Sequence, residues 1–171
     1  DFSGLRYALV GRALGTGLAA AFLALSSERA FDLAFGFLVL VGVGLSAGGL
    51  HVRLSPSSAG FAGLLSGLMG TISSIGGPPM ALLYQHSGAD RLRATLSGYF
   101  VLGVGFSLLA LWAVDRFGWP QVQLALLLSP AMLLGFFLSY PLQTRLPETM
   151  IRPLVLGLSF VSAAWVLWRA L

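Results

Sequence analysis

Six stretches of this chain are each long and apolar enough to cross a lipid bilayer: roughly Leu5–Leu25, Ala30–Leu50, Ala59–Gln85, Arg93–Val114, Val122–Leu142 and Met150–Ala170. A hydrocarbon core of about 30 Å needs about 20 helical residues. Backbone groups in lipid find no water, so such segments must satisfy their hydrogen bonds internally, as helices do. Only 9% of the 171 residues are charged and 57% are hydrophobic, against roughly a quarter charged in a soluble domain. The connections are short and polar, among them "SSER", "HSGADRLR" and "DRFGWP". The chain therefore reads as all-α, a polytopic transmembrane helix bundle forming one membrane domain over residues 1–171.

Charge narrows the reading further. All ten basic residues are arginines, against six acidic ones, and they lie scattered between apolar runs. That pattern fits lipid headgroups and membrane topology as partners, and a chain without a basic stripe is no nucleic-acid binder. With no cysteine, disulfides and thiolate metal sites are excluded. Two lone histidines, His51 and His86, read as interfacial residues, and no metal or cofactor is expected.

An internal repeat organises the helices. Sliding the chain by 120 positions places Leu14 on Leu134, Gly15 on Gly135 and Glu28 on Glu148. Residues 1–56 then read as the end of a first repeat and 57–171 as the second. The first copy lacks counterparts of Ala59–Gln85 and Arg93–Val114, and the chain begins with Asp1 rather than Met. About 60 further residues, holding a first broken segment and its following helix, are expected upstream. Positive charge stays cytoplasmic, so arginine counts test the topology. If Ala59–Gln85 spans the membrane, the short-loop arginines divide four to five; if it dips in and returns, they divide six to three. The re-entrant arrangement fits better, and it makes the repeats inverted, as in many secondary transporters.

The stretch "GTISSIGGPPMALLYQH", Gly70 to His86, interrupts the third apolar run. Before it, Ala59, Gly63, Gly67 and Thr71 form one row at i+4 spacing, and Ala62, Ser66, Gly70 and Ser74 form another. Small residues at that spacing let helix backbones approach closely. Gly76-Gly77-Pro78-Pro79 should then break the helix, since proline removes a donor and clashes with the preceding turn. A second half-helix opening at Pro78–Pro79 would present its positive N-terminus at membrane depth. Thr71, Ser73, Ser74 and the amides around Gly76 and Gly77 are the anion-binding candidates, with Arg93 near the segment's exit adding attraction. Arg12, about two turns into the first helix, reads mainly as a snorkelling residue, with a role in an anion path as the alternative. Gly44-Leu45-Ser46-Ala47-Gly48 matches a hydrolase pattern, but it lies inside an apolar helix and not on a strand–turn–helix, so it reads as helix packing.

The stretch Gly63–Phe100 resembles the second-repeat signature of the TauE/SafE sulfite-exporter family, bacterial transporters of sulfite and organosulfonates. The matching parts are Gly67, Gly70, Gly76-Gly77-Pro78-Pro79, the aliphatic run to Tyr84, and Arg93-Ala94-Thr95. The resemblance implies a secondary transporter of a small anion, sulfite or an organosulfonate, in a bacterial inner membrane. Its binding site would include Pro78 and Pro79 with the residues above. The expected partners are the small anionic substrate, membrane lipid and a second copy of the chain. An anion channel would share the site without coupling. An intramembrane enzyme would need a paired acid, base or nucleophile, and the chain offers only isolated candidates, so no catalytic residue is expected.

Overall fold

A computed structural model describes residues 2–48, 52–85, 89–143 and 148–170. Among them are seven helices and no strand: α1 (Phe2–Leu25), α2 (Glu28–Ala47), α3 (Pro56–Ile72), α4 (Gly77–Tyr84), α5 (Ala89–Ala113), α6 (Trp119–Gln143) and α7 (Glu148–Ala170). Five of these, α1, α2, α5, α6 and α7, are long and apolar enough to span a membrane. His51 and His86 lie outside the described residues.

Local chemistry sets the helix ends. Pro56 opens α3 at a position where its missing N–H costs nothing, and Ser55 and Ser58 cap the first turn reciprocally: Ser58 N donates to Ser55 Oγ (3.1 Å) and Ser55 N to Ser58 Oγ (2.9 Å). Ser27 Oγ caps α2 by accepting from Ala30 N. Asp115, with φ 57°, closes α5 in a left-handed turn in which Arg116 N donates to Leu111 O (2.8 Å).

The closest packing joins α1 to α3, which run parallel. A Cβ on Gly11 would strike the Gly60 carbonyl, one on Gly15 the Leu64 carbonyl, one on Gly63 the Ala8 carbonyl and one on Gly67 the Arg12 carbonyl. Main chain thus touches main chain at Gly60, Gly63, Leu64 and Gly67, the middle of the first small-residue row and its neighbours, while Gly70 of the second row meets the Arg12 side chain instead. Dispersion between backbones takes the place of interdigitated side chains. At its far end α3 stops at Ile72. Ser73 N and Ser73 Oγ both donate to Met69 O (2.8 Å each), and Ser74 takes φ 60°. After Ile75 and Gly76 the chain resumes as α4 and heads back. Tyr84 at its end lies by Gly4 and Leu54, and Met80, Leu83 and Tyr84 share a buried cluster with Ala8, Ala59 and Ala62. We call the side where α1 begins the near side and that of the α1–α2 turn the far side. The hairpin α3–α4 enters and leaves on the near side, its tip level with Thr16. α5 then runs parallel to α1, with Gly103 beside Arg12 and Ser107 beside Thr71.

α7 packs on α2, where Gly36 meets Leu167 and Ala163. α6 has no substantial packing partner among the described residues, and its Leu126, Leu127, Phe136 and Phe137 are exposed. Outward apolar surface on this scale is what lipid covers, and it would be a liability in water.

Candidate functional site

Arg12 sits about 12 Å along α1 from Gly4 and about 20 Å from Leu25 at 1.5 Å per residue, so it is deep within the span. It does not snorkel. Its side chain is 3% exposed and points inward to α3 and α5. Nη1 donates to Ser66 Oγ (2.9 Å) and lies 3.4 Å from the Ser66 carbonyl, while Ser66 Oγ in turn donates to the Gly76 carbonyl (2.5 Å). The guanidinium carbon is 5.2 Å from the ring centre of Tyr99 and 5.8 Å from that of Phe100, within cation–π range. Three glycines make room for it. A Cβ on Gly70 would come 3.0 Å from Nη2, one on Gly76 3.0 Å from Nη1, and one on Gly103 would land on Nε.

What the cage omits matters most. Among the described residues no carboxylate pairs with Arg12, and Nε has no hydrogen-bond partner. A guanidinium stays protonated in a protein, so this is a permanent cation held by neutral dipoles and ring faces alone. Elsewhere such a charge is paired, because an unpaired ion in an apolar medium is expensive.

Beside Arg12 lies a chamber of about 480 Å³, lined by Gly70, Thr71, Ser74, Gly76, Gly77 and Ser107 on one part and Phe100, Val104, Leu108 and Leu111 on the other. Among the described residues that line it none is acidic. Thr71 Oγ1 and Ser107 Oγ are 2.9 Å apart, and Thr71 Oγ1 donates to Thr16 Oγ1 (3.4 Å). Thr71 and Leu111 also line a vestibule of about 700 Å³ at the far side, with Leu23, Ser26, Ser27, Glu28, Phe31, Asp32 and Arg116. The chamber is therefore adjoined by a cavity at one face of the bundle. Among the described residues no three His, Asp or Glu side chains gather as a metal site.

A family profile described as Sulfite exporter TauE/SafE matches residues 1–166. The chain belongs to the TauE/SafE family. Neither a curated relative nor a solved structure matches it. As a TauE/SafE protein with five apolar spans, it is a multi-pass membrane transporter for sulfur-containing anions.

Within this TauE/SafE chain the residues singled out from sequence separate into two groups. Thr71, Ser74, Gly76 and Gly77 line the chamber. Ser73 does not: it is buried and its hydroxyl is committed to Met69 O. Pro78 and Pro79 open α4 without lining the chamber, and they remove two donors from its first turn, so that helix end is a poorer anion site than the break alone implies. Arg93 is exposed and absent from the chamber, about 15 Å along α5 from Gly103. Arg12, Ser66, Tyr99, Phe100, Gly103 and Ser107 complete the site. An intramembrane arginine signals function by default, but only folding shows that it is caged.

Proposed function

We propose that this protein carries a small sulfur oxyanion, sulfite or an organosulfonate, as a secondary transporter that opens the chamber beside Arg12 alternately to each side of a bacterial inner membrane. The observation that supports it best is the buried Arg12 cation, without a carboxylate partner among the described residues, at the wall of a cavity deep along the apolar span of α1. An oxyanion there would meet a guanidinium edge, the hydroxyls of Thr71, Ser74 and Ser107, and the main chain at Gly76–Gly77, which together replace its lost hydration. The apolar wall of Phe100, Val104, Leu108 and Leu111 suits a short carbon chain on a sulfonate.

Arginine placement supports an orientation. Arg6, Arg53, Arg91, Arg93 and Arg152 lie towards the near side, against Arg29, Arg116 and Arg169 towards the far side. Positive residues stay cytoplasmic, so the near side is the cytoplasmic one and the vestibule opens outward.

A flux screen in proteoliposomes tests the reading, with sulfite, sulfate, thiosulfate, taurine and sulfoacetate as probes. Saturable uptake is expected for sulfite or a sulfonate, and taurine should compete poorly, since no chamber carboxylate can take its ammonium group. Unsaturable flux would point to a channel, and no flux with any probe would overturn the proposal.

A further inference from the structure

We propose that this protein exchanges one anion for another across the membrane, rather than carrying an anion one way and returning empty. The inference rests on the carrier reading above, and it comes from the charge of the chamber.

The Arg12 side chain is a guanidinium cation, and its neighbours within hydrogen-bond or ring-contact distance, Ser66, Tyr99 and Phe100, carry no formal charge. Glu28 and Asp32 line the far-side vestibule together with Arg116, and no ion pair joins either to Arg12 among the described residues. An empty chamber therefore holds a net positive charge, and a chamber holding a monoanion is neutral.

Alternating access passes through an intermediate closed to both sides. With the vestibule open, water in the far-side cavity can solvate the empty site. On closure that water leaves, and the unpaired guanidinium bears the desolvation alone. With an anion on board, the same closure encloses a pair whose mutual attraction grows as the dielectric falls. Loaded carriers should thus cross readily in both directions and empty carriers rarely. Net movement of anion one way needs the empty return, whereas exchange does not. Because like replaces like, exchange is also electroneutral.

The test uses purified full chain in proteoliposomes, with radiolabelled sulfite outside and either unlabelled sulfite or gluconate inside, both sets clamped at zero potential with potassium and valinomycin. Uptake should be at least about tenfold faster into sulfite-loaded vesicles, the factor expected where pairing a buried charge governs the step. An imposed potassium diffusion potential should leave that exchange rate unchanged. Arg12→Lys keeps the charge and should keep the ratio even at reduced affinity. Arg12→Gln removes the charge, and its residual flux should lose the difference between the two vesicle sets. Equal, saturable uptake into both sets by the parent protein would overturn exchange while leaving the carrier reading intact. Absence of sulfite uptake from both sets, together with no thermal stabilisation by sulfite, would overturn both.

Discussion

Replacing Gly103 by alanine adds one methyl group, and the structure places that methyl on Arg12 Nε. The backbone of α5 cannot retreat without disturbing the Thr71–Ser107 contact, so the guanidinium must move. Moving it sacrifices the charge-assisted bond from Nη1 to Ser66 Oγ, a loss of about 1.5–3 kcal/mol, and weakens the stacking over Tyr99 by about 1 kcal/mol. Alanine recovers up to about 1 kcal/mol through its better helix propensity. The net destabilisation should be about 1.5–3 kcal/mol. Unfolding of the purified protein in mixed micelles, titrated with SDS, measures it. In an Arg12→Met background the clash has no guanidinium to displace, so the same substitution should be neutral or stabilising by up to about 1 kcal/mol. The reasoning fails if Gly103→Ala costs the same in both backgrounds to within about 0.5 kcal/mol, the scatter expected of independent sites.

Two further outcomes follow from the hairpin. Ser74 holds φ 60°, a conformation costing a non-glycine residue about 1–2 kcal/mol, and it is one of the polar residues that line the chamber. Ser74→Gly should therefore stabilise the fold by about 1 kcal/mol yet weaken sulfite binding by about one to two decades, while Ser74→Ala should lose the same affinity without the gain in stability; calorimetric titration beside thermal unfolding separates the two. Gly67→Val should cost about 3 kcal/mol or more and separate α1 from α3, whereas Gly98→Ala, with open space around it, should cost nothing measurable in the same assay.

How much of this is legible in sequence depends on the range of the interaction. Membrane helices follow from hydrophobic runs of adequate length, a property of consecutive residues, and the family follows from motifs equally local. The chain leaves helical geometry at Ser73–Gly76, just ahead of Pro78 and Pro79, which cannot donate to the carbonyls of a preceding turn and so cannot continue α3, but are tolerated in the first turn of α4. The charge of the site is different. A lone arginine in an apolar helix looks the same in sequence whether it snorkels or is caged, and the choice here is made by Gly70, Gly76 and Gly103 from three separate elements. No spacing along the chain links Gly103 to Arg12. Arg93 draws notice because it follows the break in sequence, but α4 and α5 meet on the near side and leave it exposed, away from the chamber. Ser73 and Ser74 are indistinguishable by type, and the turn separates them: the Ser73 hydroxyl bonds back to Met69, whereas Ser74 is among the residues that line the cavity.

The caged cation is tested most directly by sulfite affinity in Arg12→Gln against Arg93→Gln, each purified as a folded, monodisperse protein. The caged cation predicts that Arg12→Gln loses about two decades of affinity or more, the effect of removing one member of a buried charge pair, while exposed Arg93→Gln binds as the parent does. Parent-like binding by Arg12→Gln, with the loss falling on Arg93→Gln, would contradict it.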